Sequence, residues 1–390
     1  MEKAVIFVGA YSRPELFSSG HLSDGIIDSC AQAGFLPVLI TPNQVRGLTR
    51  EQQKALAFSR VEKLSNGGEH HIVSCWYRPK MGALALLFRY WAFARKAVKE
   101  IKKMPLEISG VFCWSYPPLM VARRLATFAR KRGIPFLFDV HDIHPEIDHF
   151  LWPFRRLVSR SVNRVIRLSF TLFTLSEDMR MSLIEKGADP SKIVVIRPWG
   201  YEIEENRDSS APFQPFSGRK MMVSYVGNIG KFQGIEMILA CAKLMEKDPV
   251  QFLFVGSGSM SREVKEASLT CDNVSFSPKV DEQTAFWLYC NNDVNLITLK
   301  PGIIRFCCPS KTPLVFAAKK PVVIAVGESR YAEELAQHGA ILAAPTPEAI
   351  CEAIRGILLR GASPVSMPQA YFRDHCLQQW KAFFEHLHAL

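Results

Sequence analysis

Eleven short apolar runs, each followed by a stretch of helical period, recur along this chain in two series separated by one polar segment. The first series places candidate strands at Ala4–Val8, Leu36–Ile40, Val111–Trp114, Phe136–Val140, Leu172–Leu175 and Ile193–Ile196. The second places them at Met222–Val226, Phe252–Val255, Val274–Phe276, Val294–Leu296 and Pro321–Ala325. Strands that alternate with helices form parallel sheets from βαβ units, because a parallel partner is reached only through a crossover. The expected architecture is α/β, with two Rossmann-like domains in series. Residues 1–202 form the first, 203–217 a linker and 218–368 the second. Residues 369–390 form a helix bearing Phe372, Trp380 and Phe384 that crosses back to the first domain. Open parallel sheets bind ligands at the carboxyl ends of their strands, so two of them predict a shared cleft.

Composition narrows the setting. The ten cysteines are scattered, with no C-x-x-C pair and no histidine at ligand spacing. That pattern argues against a zinc site or a disulfide framework and for free thiols in a reducing compartment. No run reaches the roughly 18–20 apolar residues of a membrane-spanning helix, and the opening MEKAVIFVGAY reads as a buried strand rather than a leader. The net charge is +11, and residues 81–170 hold 16 Lys and Arg against 6 Asp and Glu. A basic field so concentrated points to an anionic partner or to a set of solvated helix faces.

Three turns carry phosphate chemistry. Tyr225-Val226-Gly227-Asn228-Ile229-Gly230-Lys231 reads as a strand, a glycine turn and a helix starting near Gly234. Glycine lets backbone N–H groups approach a phosphate, and a helix start favours negative charge. Phe254-Val255-Gly256-Ser257-Gly258 repeats the pattern one βα unit later. In Pro309-Ser310-Lys311, Ser310 is expected to cap a helix while Lys311 supplies charge to a diphosphate leaving group. Each alone is also compatible with an ordinary surface turn. In the first half, His141, Asp142, His144, Glu146, Asp148 and His149 crowd the end of a strand. Pro145 argues against one helix presenting them all to a metal.

The order VGNIGKFQGIEMIL, FVGSG and PSKTPLVFAAKKPVVIA, preceded by SYPPLMVARRLATFARKRGIPFLFDVHDIHPE, resembles family-4 glycosyltransferases of the GT-B type, in the branch that builds surface polysaccharides. The resemblance implies a hexosyltransferase that moves a sugar from a nucleotide-diphosphate sugar to a saccharide or polyprenyl-diphosphate-linked acceptor, with no cofactor and no bound metal. It places Gly227, Asn228 and Lys231 at the donor diphosphate, Gly256 near the nucleoside, Val280 at the base and Pro309, Ser310 and Lys311 in the phosphate-side loop. Ser18 to Gly20 would help form the acceptor and phosphate side. His141 and Asp142 would face the transferred sugar, with Asp142 or Glu146 as base if the reaction inverts, or His141 only hydrogen-bonding a hydroxyl. The Glu pair common in that family reads here as Phe306 and Leu314, and a usual glycine reads as Lys319. That departure keeps the stereochemistry open and supplies the alternative of a catalytically diverged scaffold in a polysaccharide-assembly complex.

Two basic stretches suit a membrane surface. In residues 81–103, Leu84, Leu87, Phe88, Trp91, Val98 and Ile101 recur at helical spacing among lysines. In 154–170, a Phe154, Leu157, Val158, Val162, Val165 and Ile166 stripe is surrounded by five arginines. Such helices either bury their stripe in a core or lie in an anionic interface. The expected place is the cytoplasm, peripheral on the inner face of the cytoplasmic membrane. Nucleic acid is not an expected partner, since no recognition motif accompanies the charge.

Overall fold

The computed structural model describes residues 2–12, 20–44, 48–76, 82–115, 119–146, 155–200 and 220–390. The segment expected as linker therefore lies outside the described residues, as do Ser18, Pro145's downstream neighbours Asp148 and His149, and the side chain of Leu84. The chain divides into two compact units, residues 1–197 with 373–390, and residues 198–372.

The first unit runs β1 (Lys3–Val8), α1 (Gly20–Gln32), β2 (Leu36–Pro42), α2 (Arg50–Ala55), β3 (Arg60–Lys63), β4 (Glu69–Val73), α3 (Gly82–Ile101), β5 (Glu107–Trp114), α4 (Leu119–Arg132), β6 (Phe136–Val140), α5 (Arg155–Leu168), β7 (Thr171–Thr174), α6 (Glu177–Glu185) and β8 (Ile193–Val195). Its sheet has the order β3-β4-β2-β1-β5-β6-β7-β8 and is parallel except for β3 against β4. The central strands are buried along nearly their whole length, the signature of a sheet covered on both faces. The β3–β4 ribbon did not stand out as apolar runs. RVEK and EHHIV are charged, and their pairing is held by Lys63–Glu69 at 2.9 Å and by the surrounding edge ladder. Charge at an edge keeps a sheet from pairing with another chain.

The closing helix, Arg373–Ala389, belongs to this unit. It packs beside α1 and lays Trp380 and Phe384 onto the sheet. The Trp380 ring lies 4.4 Å from Phe173 and 5.8 Å from Phe112, and Phe384 lies 6.1 Å from Phe7. Phe372, expected on the same helix, is exposed and stands before it begins. Across the chain's full length, Lys3 Nζ donates to the His388 carbonyl at 3.0 Å. On the unit's other flank, α4 packs between α3 and α5.

The second unit runs β9 (Met221–Asn228), α7 (Ile235–Leu244), β10 (Val250–Ser257), α8 (Ser261–Thr270), β11 (Val274–Ser277), α9 (Glu282–Asn291), β12 (Val294–Thr298), α10 (Thr312–Ala317), β13 (Val322–Ala325), α11 (Arg330–Ala336), β14 (Ile341–Leu342) and α12 (Pro347–Arg360). The sheet order is β11-β10-β9-β12-β13-β14, all parallel. Strand order reverses between β9 and β12, and the carboxyl ends of those two strands are where a sheet of this kind opens to a ligand. Two-residue β14 is too short to register as an apolar run.

Helix α10 corrects one expectation. Its first residue is Thr312 and its N-cap position is Lys311, with no side-chain cap, so Ser310 does not cap it. Thr312 Oγ1 instead donates to the Pro309 carbonyl at 2.7 Å and meets the Tyr331 hydroxyl at 2.6 Å. The helix ends into Lys319, which holds a left-handed φ of 53°. That conformation crowds a Cβ against the following carbonyl and costs about 1–2 kcal/mol. Lys319→Gly is expected to raise the stability of the second unit by about 1 kcal/mol, read as a shifted urea midpoint at unchanged slope. Trp380→Ala is expected to cost the first unit about 3–5 kcal/mol. Hydrogen exchange should then quicken in β5 and β7 and stay unchanged in β9 and β10.

Candidate functional site

In the second unit, Gly227 and Gly256 stand opposite each other at the ends of β9 and β10. Both have positive φ, 140° and 148°. A Cβ at position 256 would fall 1.8 Å from the Gly227 carbonyl oxygen, so no other residue permits this backbone approach. Beyond them the two turns lock together. Ile229 N–H donates to the Ser257 carbonyl at 3.0 Å, and Met260 N–H donates back to the Ile229 carbonyl at 2.9 Å. The Asn228 side chain lies over Gly230 and Gly258, where added Cβ atoms would sit 2.9 and 2.7 Å from it. Thr298 Oγ1 donates to the Gln233 carbonyl at 2.6 Å and ties this turn to the end of β12.

Lys311 completes the group. Its Nζ donates to the Leu296 carbonyl at 2.9 Å and sits 3.7 Å above the centroid of the Tyr225 ring. Its Cδ lies 3.8 Å from where a Gly227 Cβ would be. The Tyr225 hydroxyl donates to the Asn228 carbonyl at 2.7 Å, so one aromatic side chain supports the glycine turn and the lysine together. Burial lowers the Lys311 ammonium to about 7, although the side chain keeps partial access to solvent. The ring face and one carbonyl offset only part of the lost hydration.

The structure thus brings Gly227, Asn228, Gly256 and Lys311 together. Lys231 is exposed on the same turn, Pro309 and Ser310 lead into Lys311, and Val280 is half-buried in the loop between β11 and α9. Leu314, where the family resemblance would have a carboxylate, packs near Gly200, whose added Cβ would lie 3.1 Å from it. Tyr225 escaped the sequence reading because an aromatic residue inside a strand signals only a core position.

In the first unit, His141, Asp142 and Glu146 follow β6, and Gly20 is the buried first residue of α1. His141 Nε2 pairs with the buried Asp139 carboxylate at 2.8 Å. The backbone N–H groups of His141 and Asp142 both donate to Ser115 Oγ, at 3.0 and 3.3 Å. Burial disfavours the imidazolium, but the charge and hydrogen bond of Asp139, with a further contribution from Asp142, outweigh it and raise the His141 pKa above its ordinary value. Glu146 is drawn elsewhere, its carboxylate 2.7 Å from Lys186 Nζ. Asp139 was missed because it lies inside the strand FLFDV. The signal was there: a carboxylate two residues before a histidine shares its strand face. Among the described residues, no three His, Cys, Asp or Glu side chains converge as a metal site.

Two family models match the chain in tandem. Residues 25–199 match a glycosyl transferase 4-like domain, and residues 220–360 match the glycosyl transferases group 1 domain. The chain is 29% identical over 258 residues to the probable glycosyltransferase WbjE of Pseudomonas aeruginosa, a stretch covering 62% of each protein. It is 24% identical over 159 residues to the putative colanic acid biosynthesis glycosyl transferase WcaI of Escherichia coli K12, covering 39% of each. The chain thus spans less than two thirds of the length of these relatives. Among solved structures it is similar to Anabaena Alr3699/HepE in complex with UDP-glucose, with a TM-score of 0.66 at 14% identity over the full length of both chains. That likeness shows the fold. A glycosyl transferase 4-like domain followed by a group 1 domain, on two largely parallel sheets each covered by helices, makes this chain a member of the GT-B glycosyltransferases.

Proposed function

We propose that the protein transfers a hexosyl unit from a nucleotide-diphosphate sugar to a saccharide or polyprenyl-diphosphate-linked acceptor in surface-polysaccharide biosynthesis. The observation that carries this reading is the group formed by Gly227, Gly256, Asn228 and Lys311 at the strand-order reversal of the second sheet. Two glycine backbones without side-chain cover leave room for a diphosphate, and Lys311 supplies a cation beside them. In this reading Lys231 adds charge from the turn, Ser310 and Pro309 shape the phosphate-side loop, and Val280 lies toward the base. His141 meets the transferred sugar, and its Asp139 partner fixes the ring and favours its protonated form. UDP-glucose bound to HepE supports a nucleotide sugar as donor, and the WcaI likeness supports a polysaccharide product.

The same proposal places the protein on the anionic inner face of the cytoplasmic membrane, supported by the basic helices of the first unit. No helix among the described residues is long and apolar enough to cross a membrane. Leu314 in place of a carboxylate favours a donor ribose held by other contacts than in most of the family. A panel of UDP-, GDP- and TDP-sugars, scored for binding and for transfer, tests the reading. Failure of every nucleotide to bind would overturn it.

Two consequences are measurable. At pH 8 the free protein holds Lys311 largely neutral, because its pKa is about 7. A bound diphosphate stabilises the ammonium and raises that pKa, so binding takes up a proton. Calorimetry of nucleoside diphosphate binding in buffers of different ionisation enthalpy should register the uptake, and Lys311→Met should abolish it and weaken affinity at least tenfold. For His141 the sign is the opposite. Its folded pKa is raised, so its pairing with Asp139 stabilises the fold fully below the ordinary histidine pKa of about 6.5 and loses that contribution as pH rises through the folded value. Asp139→Asn leaves burial as the dominant influence and should move the His141 NMR titration below the ordinary value.

A further inference from the structure

The layer formed by α3, α4 and α5 is strongly basic. Helices α4 and α5 carry five basic residues each and no acid, and α3 adds Arg95, Lys96 and Lys99 against Glu100. The middle helix was not conspicuous in the linear sequence; packing sets its charges between those of its neighbours. Next to this field the amino-terminal half of α3 exposes a ridge. Leu87 is 47% exposed, Phe88 66% and Trp91 49%, whereas Ala85, Tyr90, Phe93 and Ala94 are buried. The Trp91 ring lies 6.1 Å from Phe88 and has the Arg95 guanidinium 4.1 Å over it, an aromatic flanked on one side by an apolar ring and on the other by a cation. Between α3 and α4 runs a groove of about 600 Å³, lined by Trp91, Val98 and Phe128 together with Arg123, Arg124 and Lys131.

An apolar ridge beside a strongly basic field matches a surface that is apolar within and anionic at its face. We propose that the α3–α4 face seats on an anionic phospholipid bilayer. The Leu87, Phe88 and Trp91 ridge enters the boundary between headgroups and acyl chains, and Arg123, Arg124 and Lys131 engage lipid phosphate at the groove. This deepens the membrane part of the functional reading and names its surface. Arg89, buried on the opposite side of α3, donates to the Cys75 carbonyl at 3.1 Å and to the Asn43 carbonyl. Those carbonyls follow β4 and β2, so a docked α3 carries the carboxyl edge of the first sheet with it.

Flotation of the full chain with vesicles tests the docking. Binding is expected to an equal mixture of phosphatidylglycerol and phosphatidylcholine and not to phosphatidylcholine alone. A basic residue near an anionic surface is worth about fivefold in partition. The triple variant Arg123→Ala, Arg124→Ala, Lys131→Ala should therefore lose about a hundredfold. Lys243→Ala, Lys247→Ala, Lys265→Ala, exposed in the second unit, should lose nothing. Brominated acyl chains should quench tryptophan fluorescence in the wild type, and Trp91→Phe should remove that quenching while nucleotide binding reports an intact fold. Equal binding to neutral vesicles, equal loss in both triple variants, or quenching that survives Trp91→Phe overturns the proposal. Vesicle binding lost with sugar transfer to a soluble saccharide retained would refute the docking alone. Nucleotide binding absent with vesicle binding intact would refute the transferase reading alone.

Discussion

The Gly227 carbonyl occupies the space that a side chain at position 256 would need, and the architecture of the second unit's candidate site depends on that contact. With both strand ends reduced to backbone, β9 and β10 run together to their last residues and their turns interlock through Ile229, Ser257 and Met260. Asn228 then folds over the two further glycines, and Tyr225 reaches up from the core to hold the turn's carbonyl and carry Lys311 on its ring. Removing the glycine approach would part the strands and unseat the lysine with them. The cation is thus positioned by a chain of contacts that begins in backbone sterics.

That arrangement explains why the lysine is electrostatically unusual without an ionisable neighbour having to make it so. Its depressed pKa comes from burial against an aromatic face. The first unit reaches the opposite sign by opposite means, since a buried carboxylate keeps His141 protonated beyond its ordinary range. Each unit thus holds one perturbed group, the lysine shifted by burial and the histidine by a paired carboxylate.

Much of this was legible before any coordinates. Parallel strands buried on both faces leave continuous apolar runs, so ten of the eleven candidate strands stand within two residues of observed ones, while Val111–Trp114 misses the less buried first four residues of β5. The charged β3–β4 ribbon and the two-residue β14 were not legible, because an edge strand keeps polar residues and a short one leaves no pattern. At the site, the glycine turns announce themselves by composition. Tyr225 and Asp139 do not, since each lies in a buried strand where its residue type is read as core or as an exception. The expected Ser310 cap failed for a related reason: the hydroxyl that organises the start of α10 is Thr312, bonded to Tyr331 from the next helix. The N-terminal half of α3 shows the same limit, because helical spacing identifies a stripe but not whether a neighbour covers it.

The closing helix has a consequence for how the chain is made. The aromatic side chains Phe7, Phe112 and Phe173 wait for Trp380 and Phe384, which are synthesised some two hundred residues after β8. The second unit is contiguous in sequence and can fold as soon as it emerges, whereas the first unit, begun earlier, finishes later. During translation its sheet therefore carries an open apolar face for the whole time the second unit is being made. The unit that starts the chain is the last to be sealed.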